Sequence, residues 1–451
     1  MPEDVAQHAR PAPAAPSDRV GPSAGRGSRD PYFDNAKYLT IVLVACGHAW
    51  EPLTYGSRAA TAAYLTVYAF HMPAFALISG YFSRSFDMTP GRLRRLLTGV
   101  VLPYVVFETA YTLFYRWARD DPGYPLSLLD PWYVMWFLVA LFVWRVTTPV
   151  WLALRHPVPV ALALATLAAV SPDLGGDISL QRVLGFLPFF VLGLTLRREH
   201  FERLRTRRVR LGALVVGVGA LVAAYGVAPW FDAGWFYHRG SVTGQGASRW
   251  AGLLTTPTLF GLAVLLTACF LAWVPRRHVW FTALGAGTMY GYLLHGFVIK
   301  WARFRDWYAA EWLHTPLGEL AVTAVAVAGI TLLCTSPVRA ALRCVVEPRM
   351  EWAFKRPAAA EPSAAGATAA PSGPGAASAP SSERATASAA RALLTDLRGR
   401  RSDVRCVLSV CRAEALVAEL LGLLSGAARG RAGRRDAAEI RQKGPSRAPG
   451  S

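Results

Sequence analysis

Lys37 and His48 stand eleven residues apart in an apolar stretch that opens with Tyr32-Phe33-Asp34-Asn35-Ala36-Lys37 and closes on Gly47-His48-Ala49-Trp50. Eleven residues is three helical turns, so the two side chains share a face, about 16 Å apart along the axis. Asp34 and Glu51 extend the same stripe. Ionisable groups within an apolar helix of this kind face a bundle interior or a wet cavity. Two roles are open to a neutral imidazole there: it shares a hydrogen bond between helices, or it takes a proton from a reacting group.

Other chemistry-bearing residues recur in the same kind of setting. In Phe70-His71-Met72-Pro73 the histidine shares a helical face with Tyr64 and Tyr68, and Pro73 predicts a kink just after it. A structural hydrogen bond across helices is the favoured reading of His71. Glu108 lies on one face with Tyr104, Tyr111 and Tyr115, a face that should look inward for acceptor binding or for a buried hydrogen bond. Thr288, Gly291, Tyr292 and His295 form a further stripe, which puts His295 near the depth of His48 and suggests a shared cavity. Arg92-Leu93-Arg94-Arg95 suits phosphate by guanidinium geometry, although arginines gather in any cytoplasmic loop. The six cysteines have neither disulfide nor zinc-ligand spacing, so no metal site and no bound cofactor are expected.

The elements that must position these residues are apolar helices. Of 451 residues 53% are hydrophobic and only 17% charged, against about 25% in soluble domains. Apolar runs near 36–53, 60–82, 96–115, 132–153, 157–172, 180–196, 211–230, 251–274, 281–302 and 317–342 predict about ten transmembrane helices. Alternate loops are rich in arginine, above all Arg84 to Arg95, Arg145 and Arg155, Arg197 to Arg210, and Arg276 with Arg277. This is the positive-inside pattern, which places both termini in the cytoplasm and accounts for the net charge of +19 without a nucleic-acid partner.

The expected fold is therefore all-α, a polytopic protein of the cell membrane with lipid as its solvent. Residues 1–30 read as a disordered cytoplasmic arm with no secretory signal, 31–350 as the membrane domain, and 351–390 as a disordered Ala/Pro/Ser-rich linker. Residues 391–451 form a basic tail in which Arg391 to Ala428 could make an amphipathic helix.

On these residues the chain resembles the acyltransferase-3 family of integral-membrane enzymes, near its fucose 4-O-acetylase-like branch. Phe33-Asp34-Asn35-Ala36-Lys37 to Gly47-His48 is similar to the family's first-helix motif, with Lys37 where many members have Arg. Phe70-His71-Met72-Pro73 to Ser79-Gly80-Tyr81, Arg92-Leu93-Arg94-Arg95 with Pro103-Tyr104, Trp136-Phe137-Leu138, Leu187-Pro188-Phe189-Phe190 to Gly193, and Tyr292-Leu293-Leu294-His295 follow in order. The resemblance implies acyl-CoA, acetyl-CoA by default, as cytosolic donor and a carbohydrate, glycolipid or other hydroxyl-bearing acceptor. It makes His48 the catalytic residue and Lys37, Arg92 and Arg95 donor-binding residues; Asp34, His71, Glu108, Tyr292 and His295 become acceptor or cavity candidates. The competing readings are a multi-pass transporter or exporter, against which no second copy of the Lys37 to His48 pattern is found, and a non-catalytic partner in envelope assembly.

Overall fold

The computed structural model describes residues 30–171, 174, 177–348, 350 and 354, and regular structure among them is helical. The expected arm, linker and tail, with the amphipathic segment, lie outside the described residues except for Asp30 and Phe354.

Helix α1 (Pro31–Trp50) starts where Asp30 accepts the Tyr32 N–H and Pro31 presets the first turn. A 3-10 turn, Glu51–Tyr55, leads to α2 (Arg58–Tyr68) and α3 (His71–Ser83). The expected kink after His71 falls before it instead. Helix α2 ends at Tyr68, and Pro73 sits in the first turn of α3, where its missing N–H leaves no intrahelical bond unmade.

Helix α4 (Pro90–Leu96) passes through a π turn, Leu97–Val101, into α5 (Leu102–Arg119). Pro103 lacks the N–H that Gly99's carbonyl would take in an α-helix, a cause of such irregular turns. Then follow α6 (Trp136–Val146), α7 (Thr148–Ala153), α8 (Pro157–Val170), α9 (Leu180–Thr195), α10 (Arg198–Arg203) and α11 (Arg207–Val227). The last are α12 (Arg249–Trp273), α13 (Thr288–Phe304), α14 (Pro316–Leu333) and α15 (Ser336–Val346).

Each of the ten expected apolar runs contains helix, but among the described residues six helices are long and apolar enough to cross a membrane: Arg58–Ser83, Pro90–Arg119, Asp177–Thr195, Arg207–Val227, Arg249–Trp273 and Pro316–Leu333. Trp136–Val146 and Pro157–Val170 are apolar but shorter. The run 132–153 is divided because α6 stops before Thr147-Thr148-Pro149, and proline cannot continue its ladder. Helix α13 has 17 residues and carries Lys300 and Arg303, and α1 carries Asp34, Lys37 and His48. Helix α11 turns nearly every apolar side chain outward, Val215 being 71% and Val222 66% exposed. Such a continuous apolar face is what a lipid-facing helix presents.

Helices α3 and α9 cross in close contact. A Cβ on Gly80 would strike the Phe190 carbonyl, and one on Gly193 would strike that of Leu77. Backbones meet here because both contact residues are glycine, the usual basis of tight helix pairs. Polar rungs hold α1 against α14: the hydroxyls of Tyr38 and Thr331 are 2.7 Å apart, and Trp50 Nε1 donates to Thr323 at 2.8 Å. The buried Asn35 donates to the carbonyls of Pro275 and Arg277 and accepts from Thr282.

The arginine-rich loops meet around the N-terminal end of α1. Arg84 donates to the Leu196 carbonyl at 2.7 Å, Arg145 to Ser83 at 3.3 Å, and Arg276 approaches Glu202 at 3.7 Å. The C-terminal end of α1 lies beside that of α13, where Arg303 Nη2 meets Glu51 Oε2 at 2.9 Å.

Candidate functional site

A cavity of about 610 Å³ runs along α1 from Lys37 to Glu51 and opens among α1, α2, α3, α6, α9 and α13. The helical rise makes these two residues roughly 21 Å apart along the axis. Lys37, Ser79, Phe82 and Arg145 line one end; Glu51, Tyr64, Tyr237, Arg239 and Lys300 line the other.

At the first end Lys37 Nζ bonds Asp34 Oδ1 at 2.6 Å and lies 5.8 Å from the centre of the Phe82 ring. The pair spans one helical turn, so Asp34 holds an ammonium that still reaches the cavity. Arg145, on α6, is the second cation here.

His48 stands three turns further on. Its Nδ1 is 3.1 Å from the Tyr68 hydroxyl and 4.0 Å from Glu51 Oε2. Glu51 is itself fixed by Arg303. A carboxylate on this side favours the tautomer with its proton on Nδ1, which donates to the Tyr68 oxygen and leaves Nε2 with a lone pair. Tyr68 is stacked on Tyr64 at 4.0 Å between ring centres, and the Tyr64 hydroxyl bonds that of Tyr237. The ring's orientation is thus set from both α2 and the loop after α11.

Two further imidazoles surround this point. His71 Nδ1 donates to the Val67 carbonyl at 2.9 Å, and His295 Nδ1 donates to those of Gly291 and Tyr292 at 3.0 and 2.8 Å. Each helix backbone thereby selects the tautomer with an acceptor at Nε2. The His295 ring centre is 5.6 Å from that of His48, and His295 Nε2 is buried with no hydrogen-bond partner among the described residues. His71 and Tyr292 line the cavity directly, Tyr292 also donating its hydroxyl to the Val134 carbonyl.

Glu108 is buried but outside the cavity. Both of its carboxylate oxygens accept the Trp132 N–H, at 3.0 and 2.9 Å. The next residue, Tyr133, has φ 51°, a left-handed conformation that a bulky side chain adopts only where its surroundings hold it. Glu108 fixes the backbone one residue before it, and Tyr133 meets the cavity with its ring centre 5.0 Å from His48. Asp34 pairs with Lys37 and is not among the described residues lining the cavity.

Arg92 and Arg95 stand apart from these residues. Arg92 Nη1 pairs with Asp87 Oδ2 at 3.4 Å, and Arg95 is exposed on α4. Cavity residues that sequence reasoning did not single out are Tyr133, Arg145, Arg182, Tyr237, Arg239 and Lys300. Arg145 belongs by sequence to the arginine-rich loops that set topology. Lys300, a charge within an apolar run, carried a signal of its own.

Residues 30–335 match the acyltransferase-3 family, described as an acyltransferase domain. A stretch of 141 residues is 29% identical to the nodulation protein NolL of Sinorhizobium fredii (strain NBRC 101917 / NGR234) and covers 28% of this chain. That match spans 38% of the relative's length. The matches identify the family and do not single out its fucose 4-O-acetylase-like branch. No solved structure matches the chain.

Proposed function

The chain belongs to the acyltransferase-3 family and is an acyltransferase, and from that premise we propose that it works within a cell membrane, moving an acyl group from cytosolic acyl-CoA to a hydroxyl. Acetyl is the group proposed, and the acceptor is a carbohydrate, glycolipid or other envelope or secreted molecule. One observation carries this reading: Lys37 and His48 open into a single cavity, with a cationic group at one end and an oriented imidazole toward the other.

In the proposed reaction His48 Nε2 takes the proton of the acceptor hydroxyl as its oxygen attacks the thioester carbonyl. The tetrahedral adduct collapses, the carbon–sulfur bond breaks, and the leaving thiolate recovers the proton from the imidazolium. Such general-base help is worth ~10²–10⁴-fold. Glu51 and Tyr68 stabilise the imidazolium and fix its ring, and the Arg303 pair keeps Glu51 in place.

Lys37 and Arg145 serve the donor at the other end. An ammonium acts as a point charge on a phosphate or a polarised carbonyl, whereas Arg145 offers several directed N–H groups. Arg92 and Arg95, outside the cavity, are proposed contacts for the nucleotide phosphates that remain beyond its mouth. Ten spans with cytoplasmic termini complete the proposal, supported by the arginine loops meeting at the N-terminal end of α1. Family membership favours chemistry at this cavity over transport through it.

The test is transfer itself. The purified full-length protein in lipid nanodiscs, given radiolabelled acetyl-CoA and an extract of envelope glycans and glycolipids, should move label to alkali-labile ester on the acceptor fraction. Label that remains on coenzyme A across all fractions would refute the reading.

A further inference from the structure

Three cations at the Glu51 end of the cavity lack a carboxylate. Arg182 at the start of α9, Arg239 in the loop after α11 and Lys300 on α13 all line it. Among the described residues no Asp or Glu lies within ion-pair distance of any of them. Glu51 is engaged by Arg303, and Asp130, the other carboxylate lining the cavity, makes no ion pair with the three.

Aromatic faces hold two of these cations, Arg182 and Lys300, in place of carboxylates, while Arg239 is exposed. The Arg182 guanidinium lies 5.3 Å from the Trp136 ring centre, and Lys300 Nζ lies 4.1 Å from that of Tyr133 and 5.4 Å from that of Trp132. A ring face steadies a cation without consuming the directional N–H donors at its edge. Partly desolvated charge that has no counterion is costly, and within apolar helices it marks a ligand path.

The cations also stand close to the reacting end of α1. The Tyr133 ring that carries Lys300 is beside His48, and Arg239 lies two residues from Tyr237, which is tied through Tyr64 and Tyr68 to the same imidazole. The donor is placed at the opposite end, at Lys37. We propose that the acyl acceptor carries an anionic group, a carboxylate or a phosphate, which Arg182, Arg239 and Lys300 bind while its hydroxyl reaches His48. This rests on the acyl-transfer reading above.

The experiment uses membranes holding the full chain or its His48→Ala variant, incubated with radiolabelled acetyl-CoA. Products labelled only in the first are applied to an anion exchanger. The expected product is retained as an anion; phosphatase treatment separates a phosphate from a carboxylate, and solvent partition separates a lipid headgroup from a soluble glycan. A labelled product that is neutral overturns the anionic acceptor and leaves acyl transfer standing. No chain-dependent label overturns both.

With the retained fraction, freed of its acetyl ester by mild alkali, as substrate, Arg182→Gln and Lys300→Gln should each raise the acceptor KM about tenfold or more, the size expected for losing a charge-assisted hydrogen bond. The KM for acetyl-CoA should stay unchanged, and Arg182→Lys should restore most of the acceptor affinity. Arg239→Gln, at an exposed position, provides a variant whose folding is not in question and should act in the same direction. A rise confined to the acetyl-CoA KM would assign these cations to the donor and overturn the proposal.

Discussion

Glu51 grips Arg303 and faces His48 Nδ1 without touching it, so its effect on the imidazole is mainly electrostatic. Glu51→Gln should lower kcat about tenfold with the acetyl-CoA KM unchanged, since one supporting charge is removed and the base remains. Steady-state kinetics check the split; an unchanged kcat would make Glu51 a partner of Arg303 alone. Lys37→Ala should act on the other parameter, raising the acetyl-CoA KM, whereas Lys37→Arg should keep most activity because the positive charge survives. At this scale the sequence was legible wherever one helix carried the pattern. The three-turn spacing of Lys37 and His48, the Glu51 extension, and the shared face of Tyr64, Tyr68 and His71 all reach the same cavity. Arg303 was not legible as part of the site, because its partner Glu51 lies more than two hundred residues away and no local period reports which helices are neighbours.

Helices matter here by how closely they approach and where they break. At the crossing of α3 and α9, Gly193→Leu would drive a side chain into the Leu77 backbone. It should prevent recovery of folded protein, while Gly91→Ala, where nothing lies within 4 Å, should leave yield and thermal unfolding in detergent unchanged. The motif residues Gly80 and Gly193 could be picked out in the sequence; their contact could not, since each is small for a reason held by the other. Glu108 shows the same limit. Its inward face was expected, yet its partner is the backbone N–H of Trp132 in the turns before α6. Glu108→Ala should cost about 1–3 kcal/mol by orphaning that donor. It should also lower kcat by releasing Tyr133, which thermal unfolding and kinetics measured on the same sample would separate from a purely structural role. The kink expected after His71 was displaced because a proline in a first turn costs a helix nothing there.

Across the whole molecule, the apolar runs foretold helices more faithfully than they foretold crossings. The runs carrying α1, α6, α8 and α13 are helical, but charge, shortness or an internal proline sets them apart from the six long apolar helices. Single cysteines at Arg208 and at Ser57 should divide by side, the first labelled by an impermeant maleimide only after the cells are opened and the second from outside. The reverse result would invert the donor and acceptor ends. All described residues lining the cavity fall between Lys37 and Lys300, within the matched 30–335, so truncation after Lys355 should preserve transfer. The central claim, that His48 is the base at the meeting point of donor and acceptor, is tested most directly by single-turnover acetyl transfer with purified His48→Ala protein, alongside its equilibrium affinity for acetyl-CoA. The account predicts a rate lower by at least ~10²-fold with donor affinity unchanged, the signature of a lost proton acceptor. Transfer at the parental rate would contradict it, make His48 a helix-packing residue, and move the search for the base to His295 and His71.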